Sequence, residues 1–233
     1  MTQHQTVREV AGELLGTALL VTVAFASGAV RVQLGAGTMG GALLGSLALG
    51  LGYGLVLWSV GPLSGAQTNP LVSIIASVVG RQRWTGTLLR VLAQVLGAVA
   101  VGLVLSRLAP YTFIREDSHV APNLLAEAVA SFAFVLVALG VAHRRDAKVP
   151  VALGAFATAS FWMTGRATVG NPLLSFTVLL VAGGEVITWI DLLQVGVSEL
   201  VGALLGTVVA LFLFPHARES AAALVFAPRR ADA

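Results

Sequence analysis

Asn69-Pro70-Leu71 and Asn171-Pro172-Leu173 are the same tripeptide at two places in the chain, and each opens an apolar stretch of ten residues, Leu71–Gly80 and Leu173–Ala182. In Asn-Pro the Asn side chain caps the free N–H groups of a helix start, and Pro occupies the first helical position, where it has no hydrogen bond to lose. Ten residues make a helix of about 15 Å, half the hydrocarbon thickness of a bilayer. A single copy reads equally well as an ordinary turn. Two identical copies, each leading into a half-length apolar segment, point to paired half-helices that enter a membrane without crossing it.

The sequence around them agrees. Of the 233 residues, 57% are hydrophobic and 11% charged, whereas a soluble domain carries about 25% charged residues. So few charges cannot cover a water-facing surface, and lipid is the expected solvent. Six further segments approach the roughly 20 apolar residues that a crossing needs: Val10–Val30, Met39–Val60, Thr87–Ser106, Leu124–Ala142, Val149–Gly165 and Val195–Phe214. Arg8 ahead of the first run resembles the start of a signal peptide, but the run is too long for one and reads as an uncleaved first span.

The chain also repeats itself. Glu13-Leu-Leu-Gly-Thr is echoed by Glu127-Ala-Val-Ala-Ser, the first Asn-Pro-Leu by the second, and Gln94-Val-Leu-Gly97-Ala98 by Glu199-Leu-Val-Gly202-Ala203. The order is the same in each half, about 8–107 and 122–214. Three spans per half force the second half to enter from the opposite face, which makes the halves an inverted repeat. The expected fold is therefore an all-α membrane protein of six spans and two re-entrant half-helices. It forms a single domain over 1–233, with 215–233 as a tail.

Orientation follows from the basic residues. With both termini inside, Arg8, Arg81, Arg83, Arg90, Arg144, Arg145, Lys148, Arg218, Arg229 and Arg230 lie on the cytoplasmic side and Arg31, Arg107, Arg115 and Arg166 outside. Ten against four places both termini in the cytoplasm and the protein in the plasma or inner membrane. A net charge of +3 spread over short loops does not make a nucleic-acid surface. There is no cysteine, and His4, His119, His143 and His216 have no partners at ligand spacing. Neither a metal nor a cofactor is expected.

Two half-helices entering from opposite faces would meet near the midplane with their positive N-termini converging. Such a point repels cations and protons, while the Asn69 and Asn171 amides offer donors to a passing oxygen. Glu13 and Glu127 lie inside apolar spans, where an ionisable group is costly. One reading is a proton relay. The preferred one is that each accepts backbone N–H groups from the irregular loop of its own half. Glu199 either does the same or sits at the outer interface. Gly41-Ala-Leu-Leu-Gly45 and Gly202-Ala-Leu-Leu-Gly206 signal close helix packing.

From about Glu9 to Phe214 the chain resembles the major intrinsic proteins, the aquaporins and aquaglyceroporins. The likeness rests on Glu13, Ser64-Gly65-Ala66-Gln67-Thr68-Asn69-Pro70-Leu71, Gln94, Gly97-Ala98, Glu127 and Asn171-Pro172-Leu173. It implies a pore within each protomer, lined by the two Asn-Pro-Leu motifs, and a homotetramer. It also implies an outer filter at Leu49, Phe161, Thr168 and Leu174. Several positions depart from the family pattern. Leu71 and Leu173 replace the usual alanines, Gln67 replaces a usual His, and Leu174 stands where most members have the filter Arg. Phe161-Trp162-Met163-Thr164-Gly165 together with Leu174 is similar, less extensively, to a bacterial subgroup associated with arsenic-resistance genes.

The expected function is a passive channel for small neutral solutes: water, glycerol-like or urea-like molecules, or undissociated metalloid acids. Two alternatives stand beside it. One is a proton-coupled secondary transporter using Glu13 and Glu127, and the other a channel-like protein whose apolar ring keeps it shut. An intramembrane hydrolase is excluded, because no span holds the His that a Ser or metal mechanism needs.

Overall fold

The computed structural model describes residues 3–35, 37–80, 82–108, 122–143, 148–182 and 186–214. Among these are eight α-helices: α1 Gln3–Gln33, α2 Met39–Ser64, α3 Pro70–Val78, α4 Trp84–Leu108, α5 Leu124–His143, α6 Val149–Thr164, α7 Pro172–Ala182 and α8 Trp189–Leu213. Helices α1, α2, α4, α5 and α8 are long and apolar enough to cross a membrane. Helix α6 has 16 residues, about 24 Å of helix. The half-length pair, α3 and α7, have nine and eleven residues, about 14 and 17 Å. Large apolar side chains point outward along the long helices, with Leu125 75% and Phe212 84% exposed. Water would not tolerate that surface, and lipid does.

The last long helix starts at Trp189 rather than at Val195, the expected start of the sixth span. Thr188 and Asp191 form a capping box there, in which the Thr188 hydroxyl accepts the Asp191 N–H at 3.2 Å and Asp191 accepts the Thr188 N–H at 2.8 Å. An acid in the first turn suits the positive end of the helix dipole. The expected tail at 215–233, most of the connection between the halves, and Arg81, Arg115, Arg144, Arg145, Arg218, Arg229 and Arg230 lie outside the described residues.

Packing follows the repeat. In the first half α1 packs on α2 and α4, and in the second α5 packs on α6 and α8. Each half-helix crosses over: α3 touches α8 as well as α4, and α7 touches α4 as well as α8. The counterparts α2 and α6 meet each other. Their crossing is set by small residues: a Cβ at Gly154 would sit 2.6 Å from the Gly50 carbonyl oxygen. The echoed glycines have matching jobs. Gly97 of α4 lies against the Leu14 carbonyl of α1, and Gly202 of α8 against the Ala128 carbonyl of α5. Leu14 follows Glu13 and Ala128 follows Glu127, so close backbone approach brings each buried acid to the helix that faces it.

Candidate functional site

Two short loops feed the half-helices. Gly65 ends α2 in the left-handed region at φ 89°, and Gly165 ends α6 at φ 68°. Further left-handed residues follow: Ala66 at φ 47° and Thr68 at 46° in the first loop, Val169 at 50° and Gly170 at 61° in the second. Residues with a Cβ enter this region only at a cost. The turns bring the chain back on itself, so that Asn69 and Asn171 each begin a helix at the centre of the molecule. Asn69 Oδ1 accepts the Leu71 N–H at 2.9 Å, and Asn171 Oδ1 accepts the Leu173 N–H at 3.2 Å.

The other end of each amide crosses between the halves. Asn69 Nδ2 donates to the Gly170 carbonyl at 2.8 Å, and Asn171 Nδ2 donates to the Thr68 carbonyl at 2.9 Å. Each asparagine thus binds the residue that precedes the other, and that residue is left-handed in both loops. Both asparagines are fully buried. Pro70 and Pro172 are the first residues of α3 and α7, and Leu71 and Leu173 are buried one position on. The two helix N-termini face each other across this four-residue clasp, and their partial positive charges add.

The first loop is held by a dense polar network. Glu13 Oε1 accepts the Gln67 N–H at 3.0 Å, and Oε2 accepts the Thr68 N–H at 2.7 Å. Arg90 Nη1 donates to Glu13 at 3.2 Å and to the Ser64 carbonyl at 2.5 Å, while Nη2 donates to Glu9 at 2.8 Å. Gln94 Nε2 donates to Glu13 Oε2 at 2.7 Å and to Ser73 Oγ at 3.0 Å. Ser73 in turn donates to Gln67 Oε1 at 2.6 Å, and Gln67 Nε2 to Gln82 Oε1 at 2.9 Å. Arg90, counted from sequence among the interfacial cytoplasmic arginines, is 6% exposed and internal.

The second loop is held differently. Glu127 accepts the Thr168 hydroxyl at 2.9 Å on Oε2, and its Oε1 has no hydrogen-bond partner among the described residues. The expected backbone N–H bonds to Glu127 are not made. The matching amides are those of Val169 and Gly170, and the two turns differ there: Val169 is left-handed at φ 50° where Gln67 is not. Glu199 is wholly buried rather than at the interface.

Of the four residues expected at the outer filter, Leu49, Leu174 and Thr168 are buried and Phe161 is half-buried. Leu49, Leu174 and Phe161 belong to one continuous apolar cluster. The Thr168 hydroxyl is committed to Glu127. Arg31, at the end of α1, brings its guanidinium carbon 5.9 Å from the centre of the Phe161 ring, within cation–π range. Arg166, in the loop before the second motif, is half-buried. A cavity of about 20 Å³ is bounded by Tyr53, Leu57, Gln67, Val72, Phe134 and Leu153, room for one water. Among the described residues no grouping of His, Asp or Glu could hold a metal ion.

Sequence reasoning missed Arg90 as a network member and the Thr68 and Gly170 carbonyls as acceptors. Arg90 had a signal, since it lies one turn before Gln94 on the same helix face. The carbonyls had none, because main-chain acceptors leave no mark in composition.

A chain with this architecture, in which two capped half-helices meet across inverted halves, falls in the class of polytopic membrane channels. Residues 1–214 match the major intrinsic protein family, and the chain belongs to it. It is 30% identical over 223 residues to the Aquaglyceroporin AqpS of Rhizobium meliloti, covering 94% of this chain and 95% of that one. It is 32% identical over 171 residues to Aquaporin Z of Photorhabdus laumondii, 63% of this chain and 71% of that one. The fold matches the X-ray structure of the aquaglyceroporin from Plasmodium falciparum with a TM-score of 0.69 at 20% identity, covering 91% of this chain and 98% of that one. The protein is thus a passive multi-pass membrane channel of the aquaporin type, not an enzyme.

Proposed function

We propose that this channel passes small neutral solutes larger than water, of glycerol or undissociated metalloid-acid size, down their gradient. Asn69 and Asn171 line its lumen, and Leu49, Phe161, Thr168 and Leu174 form its outer constriction. The observation that carries the reading is the reciprocal clasp. Each asparagine amide is a two-hydrogen donor; one hydrogen is used across the loops, and the second is the donor we assign to a passing oxygen. Converging helix N-termini disfavour cations at the same point. Leu174 offers neither donor nor charge, so the constriction selects by size and polarity rather than by a fixed cation. The similarity to a full-length relative named an aquaglyceroporin supports the larger solute.

A shut pore is the competing reading, and one observation favours it: Leu49 is 0% and Leu174 3% exposed. Stopped-flow swelling of proteoliposomes with water, glycerol, urea and undissociated arsenous acid separates the two. Solute-driven swelling above that of empty vesicles supports the open channel. Vesicles indistinguishable from empty ones for every solute would end it. We further propose that the channel is a homotetramer with both termini cytoplasmic in the plasma or inner membrane. Arg31 and Arg107 in the last turns of α1 and α4 lie on the outer side of that orientation.

A further inference from the structure

The two halves differ at one buried position in a way that their repeat makes legible. Gln94 of α4 and Glu199 of α8 are counterparts, each three residues before the Gly-Ala pair that packs against the helix bearing the buried acid. In the first half the Gln94 amide donates to Glu13 at 2.7 Å. In the second half the counterpart is itself a carboxylate, on the helix that packs against the helix bearing Glu127. The contacts that bring them together are in place: Gly202 lies on the Ala128 carbonyl, and the Ser198 hydroxyl bonds the Leu124 carbonyl. Glu127 is 1% and Glu199 0% exposed. Among the described residues neither Glu199 oxygen has a hydrogen-bond partner, nor has Glu127 Oε1. The buried Ser175 hydroxyl, counterpart of the Ser73 hydroxyl that Gln94 binds, is unpartnered as well.

We propose that Glu127 and Glu199 form a buried proton-binding site in which the two carboxylates share one proton across the α5–α8 interface. Two adjacent carboxylates out of water do not both ionise. A protonated carboxyl is an O–H donor, so the proton supplies the donor that the Gln94 amide supplies in the first half. It comes from bulk water and returns there when the pair ionises. The site is coupled to the centre through Thr168, which binds Glu127 and lies in the loop whose Gly170 carbonyl holds Asn69. Losing the proton sets two negative charges beside that loop.

Few other charges face the pair. Arg166 lies two residues before Thr168, in the loop that binds Glu127. Helices α3, α6 and α7 carry no titratable residue. Tyr53 of α2 packs edge-on against Phe134 of α5. On α5 and α8 themselves the remaining groups are His143, at the far end of α5, and Asp191, in the first turn of α8.

The test uses the full-length protein in detergent and does not depend on which solute passes. Wild type, Glu199→Gln and Glu199→Leu are compared by infrared spectroscopy and by unfolding from about pH 6 to pH 9, the range in which an exposed carboxyl has lost its proton. The folded wild type then holds a proton that the unfolded chain releases, so its stability falls as pH rises. Its unfolding constant grows by up to about tenfold per pH unit. Wild type should show the carbonyl band of a protonated carboxylic acid at neutral pH. Both variants should lose that band and unfold with a flatter pH dependence. Glu199→Gln, which restores the amide donor of the first half, should be the more stable of the two at alkaline pH. A wild type without the band, or variants that keep both band and slope, would overturn the proposal.

Discussion

Glu13 Oε2 receives the Thr68 backbone N–H at 2.7 Å, and this bond holds a β-branched residue at φ 46°. Thr68 bears strain that Gly170, its counterpart in the second loop, does not. Glu13 stabilises that strained turn, and the turn aims the Thr68 carbonyl at Asn171. Replacing Glu13 with Gln removes one acceptor and breaks a buried ion pair with Arg90, a loss of about 3–5 kcal/mol where no other partner takes over. Glu9 remains on Arg90, so the lower part of that range is expected. Thermal unfolding in detergent should show the drop. A normally stable Glu13→Gln channel whose flux has lost a dependence on the proton gradient would instead support a proton-coupled transporter.

The clasp can be divided into its two halves chemically. Asp caps a helix about as well as Asn, but it has no amide to give to a carbonyl. Asn171→Asp should therefore keep the α7 cap and lose the bond to Thr68, with a carboxylate now facing that carbonyl. We expect a loss of about 1–3 kcal/mol. Asn171→Ala should lose about 1 kcal/mol more through the cap. Urea or thermal unfolding of the pair measures both. Equal stability of Asn171→Asp and wild type would show that the cross-loop bond contributes nothing.

Two glycines of α8 make a matched comparison. A Cβ at Gly202 runs into the Ala128 carbonyl oxygen, whereas a Cβ at Gly196 meets nothing within 4 Å. Gly202→Ala should push α8 away from α5 and lower stability by about 1–3 kcal/mol. Gly196→Ala should be neutral or gain up to about 1 kcal/mol from helix propensity. Unfolding midpoints of the two variants should move in opposite directions or differ clearly in size.

Leu174→Arg would add five donors and a permanent charge among residues that are now apolar. In proteoliposomes it should reduce glycerol passage more than water passage. A wild type that conducts only water, together with an unchanged profile in Leu174→Arg, would refute the broad-filter reading.

Much of the fold was legible because it is written twice. Asn69-Pro70-Leu71 and Asn171-Pro172-Leu173 mark the starts of α3 and α7, and Gly97-Ala98 and Gly202-Ala203 mark where α4 and α8 close on their partners. Boundaries were less legible where polar residues start a span, as Thr188 and Asp191 do for α8. The surroundings of the site were harder still. Arg90 near the start of a span reads as an interfacial arginine, and only folding shows that Glu9, Glu13 and the Ser64 carbonyl draw it inward. The cross-loop acceptors are main-chain atoms of Thr68 and Gly170, and Arg31 reaches Phe161 from another helix. Such pairings depend on tertiary geometry, which periodicity does not encode.

The uneven support of the two loops also sets an order in time. Every group that binds the Thr68 N–H or its carboxylate partner, Glu13, Arg90 and Gln94, lies before residue 108. A nascent chain therefore holds everything needed to fix its first loop while the second half is still being synthesised. The Asn69 amide, by contrast, has its acceptor 101 residues further on, so that bond cannot form until the second half is present. The bonds that join the two loops at the middle of the protein therefore need both halves of the chain, whereas those that fix the first loop need only one.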